Sequence, residues 1–172
     1  MKHFIYVIIM SAICIVGNLN YVQAEENKNL YHINVTSYEV KNRIVESKVR
    51  NHTVRIDQPK EFGADDTAPT PPEYLAIAFG SCVVSTLRFI AILENIEIKN
   101  IQVDVSGTID FSKAMEMPTE KRAGIEGLNV DVSFDSNLSK AEKQSLLDKA
   151  LNRGAAIDNV MNNTKVIYKL VD

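Results

Sequence analysis

Thr70-Pro-Pro-Glu-Tyr-Leu-Ala-Ile-Ala-Phe-Gly-Ser-Cys-Val-Val-Ser-Thr-Leu-Arg-Phe-Ile-Ala-Ile-Leu-Glu-Asn-Ile96 is the stretch on which the fold of this chain turns. Thr70 is a credible N-cap, Pro71 suits the first helical position, and Glu73 stands three residues after the cap. Together they predict a capping box that opens a helix over Pro71 to Ile96. Leu75, Phe79, Cys82, Thr86, Phe89 and Leu93 recur at spacings of three or four, with small residues between them. The stretch is apolar nearly all round, which predicts a central, buried helix.

On its N-terminal side, apolar and polar residues alternate in Tyr31-His-Ile-Asn-Val35, in Arg43-Ile-Val-Glu-Ser-Lys-Val-Arg50 and in Thr53-Val-Arg-Ile-Asp57, which predicts three strands. A polar loop, Gln58 to Thr70, joins them to the helix. On the C-terminal side, strand patterns return in Ile101 to Phe111 and in Leu128 to Phe134. Ser139 with Glu142 opens a second, amphipathic helix from Lys140 to about Asn152, which Gly154 is expected to end. A helical turn, Ala156 to Met161, and a last strand, Lys165 to Val171, close the chain. Strands, helix, strands, helix and strand in that order predict an α+β fold.

The N-terminus reads differently. Lys2 and His3 precede an apolar run from Phe4 to Val16, short of the ~20 residues that span a bilayer. Val22-Gln-Ala24 before Glu25 then offers a small-x-small cleavage site. This predicts a signal peptide over 1–24 and a single domain over 25–172, secreted or periplasmic, with no stable membrane insertion after cleavage; a retained anchor is the alternative. Cleavage removes Cys14 and leaves Cys82, so the mature chain has no partner for an intramolecular disulfide.

The 172 residues are 45% hydrophobic and 24% charged, the balance of a globular domain. Nineteen Lys plus Arg against 22 Asp plus Glu, a net charge of −3, leaves no basic surplus for a nucleic-acid partner. No phosphate loop, zinc-type Cys/His spacing or nucleophile elbow occurs. His32 and His52 stand apart from any carboxylate cluster, so neither metal nor cofactor is expected. Cys82, within Gly80-Ser-Cys-Val83, has two readings: a core cysteine acting as a small hydrophobe, or a reactive thiol. In mid-helix it gains nothing from a helix N-terminus, so activation needs a cation from another segment.

Asn51-His-Thr-Val-Arg-Ile-Asp-Gln-Pro59, Gly63-Ala-Asp-Asp-Thr-Ala-Pro69 and Pro72-Glu-Tyr-Leu-Ala-Ile-Ala-Phe-Gly-Ser-Cys82 together resemble the signature of the OsmC/Ohr family. Ser85 to Ala91 and Gly124-Ile-Glu-Gly-Leu-Asn-Val130 continue the resemblance, which spans about residues 40 to 170. These are thiol-dependent peroxidases of osmotic stress and organic hydroperoxide resistance, hence antioxidant proteins of the oxidative stress response. The resemblance implies antiparallel sheets wrapped around central helices in an intertwined homodimer. It also implies catalysis by a thiolate at Cys82, oxidised to a sulfenic acid and resolved by a second cysteine. The resemblance further implies an arginine that holds the thiolate and a carboxylate that orients the arginine. Ala155 matches the second cysteine's place, so an external thiol reductant is implied. Glu73, nine residues before Cys82 where the family has its carboxylate ten before, is the carboxylate candidate as well as the capping residue. Arg55 leads the arginine candidates, ahead of Arg50 and Arg88. The sequence thus points to a one-cysteine peroxidase for organic hydroperoxides, the alternative being a non-catalytic dimer that binds a small hydrophobic ligand at its interface.

Overall fold

A computed structural model of the chain describes residues 29–171. The expected signal peptide over 1–24 lies outside the described residues. The chain divides into two units, 1–35 and 36–172. In the first, residues 29–35 are exposed and carry no regular element, so the strand expected over Tyr31 to Val35 does not form.

The second unit opens with an antiparallel meander of β1 (Thr36–Lys41), β2 (Ile44–Val49) and β3 (His52–Ile56). Thr36 pairs with Lys48, next to the end of β2, so there is no facing strand for residues before it. That is why the first strand starts at Thr36 although the preceding residues also alternate. Asn42 and Arg43, at φ 46° and 65°, form the β1–β2 turn. Two consecutive left-handed residues match the right-handed twist of a tight hairpin.

A loop with a single 3-10 turn, Lys60–Phe62, leads from β3 to the central helix α1 (Pro71–Leu93). Buried Asp57 organises this loop. Its Oδ1 accepts the Gln58 N–H at 2.8 Å, and its Oδ2 accepts both the N–H and the hydroxyl of Thr67 at 2.8 Å. The antiparallel hairpin β4 (Lys99–Ile109) and β5 (Ile125–Asp135) follows, then α2 (Lys140–Leu151) and α3 (Ala155–Met161). The architecture is α+β with antiparallel sheets, as the strand and helix order predicts.

Both expected capping boxes form. Glu73 Oε2 accepts from the Thr70 N–H and hydroxyl at 2.7 and 2.9 Å, and Ser139 with Glu142 repeats the arrangement on α2. Other expectations change. α1 ends at Leu93 rather than Ile96, and Asn152 ends α2, whereas Gly154 is the N-cap of α3. The last strand expected over Lys165 to Val171 is absent, because neither sheet pairs with it, and Val166, Ile167, Tyr168, Leu170 and Val171 are exposed.

The core lies along one stripe of α1. Leu87, Ile90 and Ala91 pack with Ile98, Phe134, Leu146 and Ala150, while Phe79 and Val83 pack with Ile157. Gly80 lets α1 come close to β4, since a Cβ there would sit 3.1 Å from Val105 Cγ2. By length and composition α1 is long and apolar enough to cross a bilayer, with a mean hydropathy of 2.0, but its stripe is packed against β4, α2 and α3. The burial is one-sided, contrary to the all-round burial expected. Leu75, Ile77, Phe89, Ile92 and Leu93 are 46 to 65% exposed.

Asp57 gives a pH-dependent test. Hydrogen bonds, above all from the Thr67 backbone N–H, hold its carboxyl below the ordinary 3.8 despite burial. A depressed folded value means that the stability it lends is complete above about pH 4 and is lost as the pH falls through the lower folded value. Thermal melts at pH 7 are expected to show Asp57→Asn less stable than the parent chain by a few degrees, with the gap narrowing in acid. Equal melting at both pH values would contradict this role.

Candidate active site

Cys82 sits halfway along α1 as a free, half-buried thiol. It packs on the Phe79, Val83 and Ile157 cluster, together with apolar side chains of β4, β5, α2 and α3. Its sulfur lies 3.8 Å from Thr86 Oγ1, one helical turn on. On the other side it meets the start of α3, where a Cβ on Gly154 would fall 3.0 Å from Cys82 Sγ and would also press on Ile157 Cδ1. The backbone there, at φ −83°, is open to any residue.

This corrects the assignment of Ala155 to the place of a second cysteine. Ala155 is exposed as the first residue of α3, and Gly154 is the position that faces the thiol. An S–S bond of about 2.05 Å puts one cysteine's Cβ about 3 Å from the opposite sulfur, and position 154 has that spacing.

The other predicted site residues are not brought to Cys82 within one protomer. Glu73 is nine residues away along α1, ~14 Å at the rise of a helix. It is committed to the cap: the Thr70 backbone N–H, then the Thr70 hydroxyl, hold its carboxyl below the ordinary value of 4.5. Arg55 is exposed on β3, and its carbonyl accepts the Tyr74 hydroxyl at 2.7 Å, which ties β3 to the first turn of α1. Arg50 stands at the β2–β3 turn with φ 53°. Arg88 donates to the Ile98 carbonyl at 2.6 Å, a structural bond that directs it away from the thiol as its spacing predicts.

Glu73 instead borders a cleft of about 470 Å³ between the β3–α1 loop and the β4–β5 hairpin, whose apolar walls include Pro59, Phe62, Pro72, Ile109 and Phe111. A second cleft of about 250 Å³ shares Gln58, Phe62 and Phe111 with it and adds Arg43, Ala114 and Met115. The Phe62 and Phe111 rings meet edge to face at 5.2 Å between the two. Arg43 donates to the Phe62 carbonyl. Sequence reasoning passed over Arg43. The signal was present as Asn42-Arg43 between two alternating runs, a hairpin turn that becomes visible once β1 is placed at Thr36–Lys41. Among the described residues no group of three or more His, Cys, Asp or Glu side chains is arranged to hold a metal ion.

The family model for OsmC-like proteins matches residues 63–169, a span that includes α1, Cys82 and Gly154. The chain belongs to the OsmC-like family. Its fold is similar to that of an OsmC-like protein from Mycoplasma pneumoniae, with a TM-score of 0.67 at 17% identity over 77% of this chain and 89% of that one. It is also similar to an organic hydroperoxide resistance protein from Legionella pneumophila (TM-score 0.57, 20% identity, 79% and 93% coverage) and to one from Elizabethkingia anophelis (TM-score 0.57, 21% identity, 79% and 92% coverage). No curated protein matches the chain.

The geometry around position 154 predicts that Gly154→Cys, with Ile157 turning aside, forms a disulfide to Cys82 on mild oxidation, whereas Ala155→Cys does not. Non-reducing peptide mapping reads the difference. A bridge formed from position 155 and not from 154 would contradict the assignment.

Proposed function

We propose that this OsmC-like chain is an exported, one-cysteine thiol peroxidase that reduces organic hydroperoxides at the expense of an external thiol. The observation that carries the reading is the Cys82 thiol, half-buried in an apolar setting within the segment that matches the family. The names of the Legionella and Elizabethkingia relatives, organic hydroperoxide resistance proteins, support the substrate class.

In the proposed reaction the Cys82 thiolate attacks the terminal oxygen of the hydroperoxide and the O–O bond breaks. The terminal OH stays on the sulfur, which is oxidised by two electrons to a sulfenic acid, and the departing alkoxide takes up from water the equivalent of the proton that the Cys82 thiol released on ionising, leaving as the alcohol. With glycine at 154 no cysteine of the protomer intercepts it. One external thiol condenses with the sulfenic acid, releasing water and leaving a mixed disulfide. A second external thiol displaces Cys82, and the two external thiols depart as a disulfide.

The hydrogen-bond partner of the Cys82 sulfur is Thr86 rather than a cation, and the proposal assigns an activating cation to a second copy. The exposed apolar residues of α1, Leu75 to Leu93, need cover, and the β1–β3 sheet of a partner subunit is the proposed cover. That sheet carries Arg55 on β3, with Arg43 and Arg50 in its two turns. Arg43, which borders the apolar cleft, joins Arg55 as a candidate to hold the thiolate. The alternative, a non-catalytic dimer that binds a small apolar ligand, draws its support from that same cleft.

Two outcomes are expected. Hydroperoxide consumption requires an added thiol and falls to background in Cys82→Ser, while excess peroxide drives Cys82 irreversibly to the sulfinic acid. A Cys82→Ser protein that keeps its activity would refute Cys82 as the nucleophile, and parent protein that consumes no peroxide and emerges from purification with an apolar ligand would favour the binding reading. Light scattering gives the mass of two chains at micromolar concentration, and a single-chain mass throughout would remove the dimer.

A further inference from the structure

Thr86 is half-buried on α1, four residues after Cys82, so the two side chains share one face of the helix. A helical threonine hydroxyl commonly turns back to a carbonyl of the preceding turn. Here the bond recorded for it is to Cys82 Sγ, at 3.8 Å, within hydrogen-bonding reach of a sulfur. The elements packed on this part of α1 present apolar side chains to the same cluster: Val103 and Val105 from β4, Leu128 from β5, Leu147 from α2 and Ile157 from α3. Against this apolar lining, the Thr86 hydroxyl is the hydrogen-bond partner of the Cys82 sulfur.

We infer that Thr86 is a positioning residue for Cys82, its hydroxyl donating to the thiolate and, after oxidation, to the sulfenic oxygen. The inference rests on the peroxidase reading. An anion in apolar surroundings is costly without a donor, and a donor in low dielectric is worth more than one in water. The hydroxyl therefore raises the fraction of Cys82 present as thiolate at a given pH, adding to any cation that a second subunit supplies. It also fixes the rotamer from which the sulfur meets the peroxide.

The test compares the full-length parent, Thr86→Val and Thr86→Ser by the pH profile of Cys82 alkylation with iodoacetamide and by the rate of oxidation with cumene hydroperoxide. Valine keeps the shape and removes the donor; serine keeps the donor. The valine variant is expected to shift its alkylation profile upward by about one pH unit, with correspondingly slower oxidation near neutrality, and serine to restore both. Thr86→Ala gives the same readout if valine strains the helix. Superimposable profiles for parent and donor-free variants, or a serine variant that restores nothing, would overturn the inference. A parent whose Cys82 is alkylated yet is never oxidised by the hydroperoxide would instead refute the peroxidase reading, with the alkylation profiles still deciding the role of Thr86.

Discussion

The packing of one stripe of α1, from Phe79 through Gly80, Val83 and Leu87 to Ala91, against the β4–β5 hairpin and the two C-terminal helices holds these elements together around one core. Full burial of a leucine or isoleucine contributes about 1.5–3 kcal/mol, so Leu87 and Ile90 alone account for a substantial part of a domain's net stability. The same stripe fixes Cys82 at its edge, where the sulfur meets Thr86 on one side and the start of α3 on the other. Outside that stripe, Leu75, Ile77, Phe89, Ile92 and Leu93 of α1 are left exposed. The packed core and the exposed apolar side chains that the proposed dimer would cover thus belong to the same 23-residue helix.

The candidate site residues fall in two separate places along the chain. Cys82 lies in the middle of α1, while Glu73, Arg43 and the apolar clefts gather around the helix start and the loop organised by Asp57. An activated thiol needs a positive or hydrogen-bonding partner. Within the protomer Thr86 offers the hydrogen bond, and the proposed dimer offers the arginine. Gly154 bears on the proposed chemistry: the position that faces the sulfur at disulfide spacing carries no side chain, so in the proposed cycle resolution is assigned to a thiol from outside.

Much of this was legible in the sequence wherever the determining physics is local. Thr70 with Glu73 and Ser139 with Glu142 announced both helix starts, because a capping box is complete within four residues. The motif from Asp57 to Cys82 pointed to the family. What depends on distant partners was not legible. Alternation in Tyr31 to Val35 and in Lys165 to Val171 satisfies a strand pattern, but a strand exists only where another strand pairs with it. One-sided burial of α1 escaped a reading of its composition, since an apolar residue looks the same whether a neighbour covers it or not. Gly154 was missed by one position, as Ala155 seemed the match along the chain while the approach of α3 to Cys82 is set in three dimensions.

The central claim is that Cys82 is a peroxide-reactive thiol, and intact mass spectrometry after one equivalent of an organic hydroperoxide, with a sulfenic-acid trap present, tests it most directly. The account predicts one trap adduct per chain, mapped to Cys82. A Cys82 that remains an unmodified thiol under a roughly tenfold excess of hydroperoxide would contradict it.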